Sequence, residues 1–124
     1  MTWFRIDDGF WCYPKVLRCT HRAIALWVRA GSWCAQQLTD GYVPASALPM
    51  LNATRRDAGE LVTAGLWTVE GDGWRFHQWG ERQPTRHDVE TQRLATAERV
   101  RRFRERKRSG SDDGPSHLSA VPDP

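Results

Sequence analysis

Seven of the ten residues from Arg99 to Arg108 are basic: Arg99, Arg101, Arg102, Arg104, Arg106, Lys107 and Arg108. The one acid among them is Glu105, so the segment carries a local charge of 7 − 1 = +6. Such a cluster suits the neutralisation of a polyanion with release of its condensed counterions, the alternative being a merely solvated charge run. A sparser set stands upstream at Asn52, Thr54, Arg55, Arg56 and Thr63, with Arg75 beyond it. A guanidinium can fork onto guanine O6 and N7 or grip a phosphate, while Asn and Thr reach phosphates at a helix N-terminus. Both sets offer binding chemistry.

Sets that break and form covalent bonds are missing from the sequence. There is no Gly-rich phosphate loop, no His-Glu-x-x-His and no nucleophile elbow, and His21, His77, His87 and His117 are scattered. Asp7 and Asp8 lack a third acid at metal-ligand spacing and read as a turn ahead of Gly9. Cys12, Cys19 and Cys34 are odd in number and form no Cys-x-x-Cys pair. They read as small packing residues of a reduced compartment, since their spacing with His21 matches no common zinc pattern. The expectation is a non-enzyme with neither metal nor cofactor.

The elements that must position the two basic sets come from 124 residues and 14.3 kDa, enough for one modest domain and an arm. The net charge of +3 is unevenly spread. Residues 1–80 hold eight basic and seven acidic side chains, while residues 81–124 hold ten and eight. All seven Trp lie in residues 3–79 and read mainly as the core of a small domain, while an exposed patch of Trp3, Trp11 or Trp33 would point to a protein partner. The longest strongly apolar run, Ala23 to Val28, is far short of a membrane span, and no secretion signal precedes it. A cytoplasmic protein without a membrane partner is expected.

Along residues 1–80, Trp3 to Ile6 looks extended and Pro14 opens a short turn through Leu17. Thr20 caps a helix whose apolar stripe reads Ile24, Trp27, Val28, Gly31, Ala35 and Leu38. Pro44 then starts a second, short helical piece over Ala45 to Leu51, weakened by Pro49. Thr54-Arg55-Arg56-Asp57 resembles a capping box, and its helix carries Ala58, Leu61 and Val62 before stopping at Gly65. The solvent face of that helix is Arg55, Arg56, Gly59, Glu60 and Thr63. Two alternating segments follow, with Trp67, Val69, Trp74 and Phe76 expected to face the helices across the turn Glu70 to Gly73. The predicted fold class is mainly α with a small β-hairpin, an α+β winged helix-turn-helix domain followed by a long basic helix.

Gly80 to Pro84 reads as a hinge into an arm spanning 81–108. Its helix begins near Thr85, and Glu90–Arg93 and Glu98–Arg102 have ion-pair spacing. Val89, Val100 and Phe103 share one side of this helix, but Arg93 and Thr96 break the seam, so a coiled coil is not expected. Residues 109–124 have too little apolar surface to offset chain entropy and read as a disordered tail.

Several segments resemble small helix-turn-helix proteins of actinobacteria and their phages. They are Trp3-Phe4-Arg5-Ile6-Asp7-Asp8-Gly9-Phe10, Leu38-Thr39-Asp40-Gly41-Tyr42-Val43-Pro44, Ala64-Gly65-Leu66-Trp67 and Trp74-Arg75-Phe76-His77-Gln78-Trp79. The resemblance covers about residues 2–108 and is similar in layout to the winged-helix N-terminal domains of phage replisome organisers and replication initiators. It implies a DNA-binding protein of phage or prophage origin, acting in replication or its regulation in the host cytoplasm. It carries over no base-reading residue, and the chain is too short for a helicase-loading domain. Double-stranded DNA is the expected partner, with helix 54–64 in the major groove and the arm on phosphates. RNA bound by the arm is one alternative. A protein of the replication or transcription machinery, bound by an adapter of the same fold, is the other.

Overall fold

The computed structural model describes residues 2–109. The predicted tail lies outside them except for Ser109, which closes the last helix. The chain forms two compact units divided after Arg86.

The first unit is an α+β layer structure. Its elements are α1 (Pro14–Leu17), α2 (His21–Gln37), β1 (Tyr42–Pro44), α3 (Arg55–Ala64), β2 (Trp67–Glu70), β3 (Gly73–Phe76) and α4 (Trp79–Arg82). Short 3-10 turns at Phe10–Cys12 and Ala45–Ala47 complete it. The sheet is antiparallel in the order β1-β3-β2, so the hairpin gains a third strand. Tyr42 pairs with Arg75 and Val43 with Trp74 on one side of β3, while Trp67 pairs with Phe76 on the other. Three residues ending in proline gave no alternation to read; β1 exists because it covers the inner edge of β3 and buries Val43 completely.

Helix α2 begins at Thr20, whose hydroxyl accepts from the Ala23 N–H. Its buried residues are Ala23, Leu26, Ala30, Gly31, Cys34 and Ala35. Of the expected stripe, Gly31 and Ala35 are buried, Ile24, Trp27 and Leu38 are half-buried and Val28 is exposed, so the buried face is shifted toward Ala23, Leu26, Ala30 and Cys34. Both stripes have helical spacing. Small side chains win the inner face because they let α3, with Ala58 and Leu61, approach closely. Trp27 borders that face and stacks with Phe10 at 4.7 Å instead.

Trp67, Trp74, Phe76 and Trp79 join the core cluster, as the alternation of the two strands suggested for the first three. Val69 does not; it is exposed, near the turn of the edge strand and beyond the cover of the helices. Pro49 restricts the piece before α3 to a 3-10 turn and further turns, which still bury Ala47, Leu48 and Leu51. Of the cysteines only Cys34 is buried, and Cys12 is exposed on its 3-10 turn. Burial pushes the Cys34 thiol up to about 11.

The N-terminal stretch is not a strand. Phe4 presses onto Gly31, where an added Cβ would collide with its ring, and stacks on Trp79 at 5.8 Å. The segment read as a hinge folds into α4, with Trp79 and Gln83 buried. Gln83 both accepts from the Arg5 N–H (2.8 Å) and donates to the Arg5 carbonyl (2.6 Å). These contacts carry the first unit past residue 80, where the sequence suggested its end.

The second unit contains one regular helix among the described residues, α5 (Arg86–Ser109 by its helical bounds, within the unit from His87), and none of its residues is buried.

Candidate functional site

Helix α3 is fixed at both ends by local chemistry. Thr54 and Asp57 form a complete capping box: the Thr54 hydroxyl accepts from the Asp57 N–H, and the Asp57 carboxylate accepts from the Thr54 N–H at 2.9 Å. At the other end Gly65 takes the left-handed conformation at φ 87°, which terminates the helix. The Lys15 ammonium donates to the Gly65 carbonyl at 3.3 Å, placing a cation where the helix dipole favours one.

Two carboxylates then tie α3 to α2. Glu60 accepts from the N–H and the hydroxyl of Thr20 at 2.7 Å each, which fixes the start of α2. Asp57 accepts from the Arg22 guanidinium, with 3.3 Å to Nε. The Thr54 backbone N–H above all, and then Arg22, hold the Asp57 carboxyl below the usual carboxylate range against the opposing effect of burial.

The predicted residues meet different fates on this scaffold. Asn52 stands exposed in the turn before α3 in a left-handed conformation at φ 54°, which Asn tolerates. Arg55 and Arg56 are exposed, and the Arg55 guanidinium lies over the Trp74 ring at 5.8 Å. Thr54 and Thr63 are exposed, but their hydroxyls are engaged within the fold, Thr63 donating to the Gly59 carbonyl at 3.0 Å. Arg75 is engaged still further. It pairs with Glu70 at 2.7 Å, donates to the Asp40 carbonyl at 2.9 Å and lies over the Tyr42 ring at 5.4 Å. The hydrogen bond from Arg75 in turn lowers the Glu70 carboxyl below its ordinary value. With Glu70 so bound and Asp72 exposed, the hairpin turn presents acid rather than free cation.

Sequence reading missed two residues. Arg22 reaches the first turn of α3 through Asp57, and Arg29 donates to the Leu51 carbonyl at 3.4 Å in the preceding turn. Four arginines, 22, 29, 55 and 56, therefore surround the start of α3, with Asp57 as the buried acid among them. Their signal was present in the separation of Arg22 and Arg29 by two helical turns, which puts both on one face of α2.

In α5, Arg101 bridges Glu98 (2.5 Å) and Glu105 (3.3 Å), and Arg102 also reaches Glu98 at 3.1 Å. Hydrogen bonding from Arg101, with Arg102 second, lowers the Glu98 carboxyl. Arg99, Arg104, Arg106, Lys107 and Arg108 form no ion pair among the described residues, and all are exposed. The helix thus divides into a self-paired segment and five cations facing solvent.

Among the described residues no three His, Cys, Asp or Glu side chains gather where a metal ion could be held. No described helix is long and apolar enough to cross a membrane. No family model, curated protein or solved structure matches the chain at a significant level.

Proposed function

We propose that this chain is a DNA-binding winged helix-turn-helix protein, with α3 in the major groove and the basic arm on backbone phosphates. The observation that carries the reading is the group of arginines at the start of α3: Arg55 and Arg56 project to solvent, and Arg22 and Arg29 are brought beside them from α2. The element order supports it. A helix, a short strand, a helical turn, a second helix and a hairpin whose inner strand pairs with that first strand follow the order expected of a winged helix. In helix-turn-helix proteins the N-terminal residues of the second helix meet base edges, and here Arg55 and Arg56 hold those positions. The helix dipole adds a favourable field for phosphate at the same end. Arg22 and Arg29 join the candidate phosphate contacts, whereas the internal pairing of Arg75 makes it the weakest of the residues singled out in the sequence.

The protein acts by binding, in the cytoplasm of a bacterium or a phage-infected host, in replication or its regulation; the resemblance to phage initiator domains supports that role. The test is an electrophoretic shift of duplex DNA across a salt series. Retardation near 50 mM salt that weakens steeply toward 200 mM is expected, and no retardation at the low end overturns the reading. Stronger retention of structured RNA than of duplex DNA would reassign the arm to RNA.

One observation favours a second reading, a protein–protein adapter of the same fold. Trp3 and Trp11 are 73% and 77% exposed, unusual for the largest apolar side chain. In that reading Trp3→Ala and Trp11→Ala abolish partner binding while Arg55→Ala and Arg56→Ala leave it intact.

A further inference from the structure

A space of about 460 Å³ lies beneath the N-terminal segment of the first unit. The segment is pinned on both sides of this space. Phe4 sits against Trp27 at 5.1 Å and Trp79 at 5.8 Å, and Phe10 stacks on Trp27 at 4.7 Å. Between these anchors residues 5–9 arch across, turned by the Gly9 N–H donating to Asp7 Oδ1 and the Phe10 N–H donating to the Asp7 carbonyl, each at 3.0 Å. The cleft opens to solvent and is large enough to admit a small ring.

We infer that this cleft binds a small planar aromatic anion. The walls are the rings of Phe4, Phe10, Trp27, Phe76 and Trp79, which favour a flat ring by offset and edge-on stacking. The charges lining it are Arg5, Lys15 and Arg82 against Asp7 alone, 3 − 1 = +2. Asp7 is already engaged by the Gly9 N–H and, at 3.8 Å, by Arg82. Lys15 spends one N–H on the Gly65 carbonyl and retains others. An aryl carboxylate would place its ring among the aromatics and its charge against these cations, a pairing stronger than a neutral hydrogen bond.

The test titrates the full chain with 1-naphthoate and, separately, with 1-naphthalenemethanol, following heat and Trp emission together. Saturable binding of the acid with Trp quenching is expected, about tenfold tighter than the alcohol. Arg5→Gln and Arg82→Gln should each bring the acid toward the affinity of the alcohol while leaving the alcohol and the melting temperature unchanged. Equal affinity for acid and alcohol, or indifference to both variants and to Lys15→Gln, overturns the inference. So does heat without quenching, because Trp27 and Trp79 line the cleft and a ring bound there must lie against them. The titration contains no DNA, so its outcome is independent of the proposed function.

Discussion

The start of α3 and the second half of α5 both display arginine, and they hold it in opposite ways. Around α3 three of the four guanidiniums are anchored: Arg22 on Asp57, Arg29 on the Leu51 carbonyl and Arg55 over Trp74. Each rests on an element that the core already fixes. Between Arg99 and Arg108 five cations stand on a helix with no buried residue, and the other two of that stretch, Arg101 and Arg102, are paired along the helix itself. Fixed donors can discriminate between base edges, because a misplaced partner costs the whole interaction. A dense, unanchored cluster responds to phosphate anywhere and supplies affinity that salt removes. Under the proposed function, discrimination would fall to the start of α3 and salt-dependent affinity to the second half of α5.

Ending the chain after Glu98 should have the largest effect. Loss of the five cations that form no ion pair among the described residues should flatten the log–log salt dependence of DNA binding by about 4 units and weaken binding at low salt by about two to three orders of magnitude. An unchanged slope in a titration from 50 to 200 mM salt would remove the arm from the interface. Next comes Gly31→Ala, whose added methyl must displace the Phe4 ring. Overpacking of this kind costs about 1–3 kcal/mol, measurable as a lower midpoint in urea unfolding. A variant as stable as the parent would mean that the N-terminal segment is not held as described.

Asp57→Ala removes the reciprocal cap and the partner of Arg22, and should cost about 1–2 kcal/mol in the same assay. Its pH dependence has a definite sign. The carboxyl is depressed in the folded state, so its contribution is present above the ordinary value of 3.8 and is lost as pH falls through the lower folded value. Asp57→Asn should accordingly reduce the acid sensitivity of unfolding between about pH 5 and 2; identical acid curves would contradict the role assigned to this side chain. Smaller again is Arg55→Lys, which keeps the charge but loses the planar fork and weakens the hold of the Trp74 ring, worth about 0.5–1 kcal/mol. Its selection profile for binding sites should broaden more than that of Arg56→Lys. The smallest change is expected from Glu98→Gln, which frees Arg102, leaves Arg101 on Glu105 alone and should steepen the salt slope slightly. A shallower slope would show that those pairs do not compete with phosphate.

Much of this arrangement was legible in the residues because it depends on neighbours in sequence. The Thr54–Asp57 box, the Gly65 stop, the Asp7 turn before Gly9 and the Glu98–Arg102 pair each involve groups within four residues, and each is present. The paired faces of Trp67, Trp74 and Phe76 followed from the two-residue period of a strand. The shifted face of α2 was not legible, because two stripes of equal period compete and only the approach of α3 decides between them. Nor was β1, which has no pattern apart from the strand it covers.

By itself, then, the sequence determined the local devices and the location of charge: which segments coil, where they stop, and that +6 sits in ten residues near the C-terminal end. Only the tertiary structure decided which charges remain available. Arg75 stood among the candidate phosphate contacts, behind Arg55, until folding brought Glu70, the Asp40 carbonyl and Tyr42 around it, and Glu60 became a cap for Thr20 rather than part of an open face. Arg22 and Arg29 moved the other way, from ordinary helix residues to the flank of α3. The physical reason is one of range: capping and pairing within a turn are set by covalent neighbours, whereas the partner of a long side chain is chosen by whatever the core brings within about 3 Å of its end.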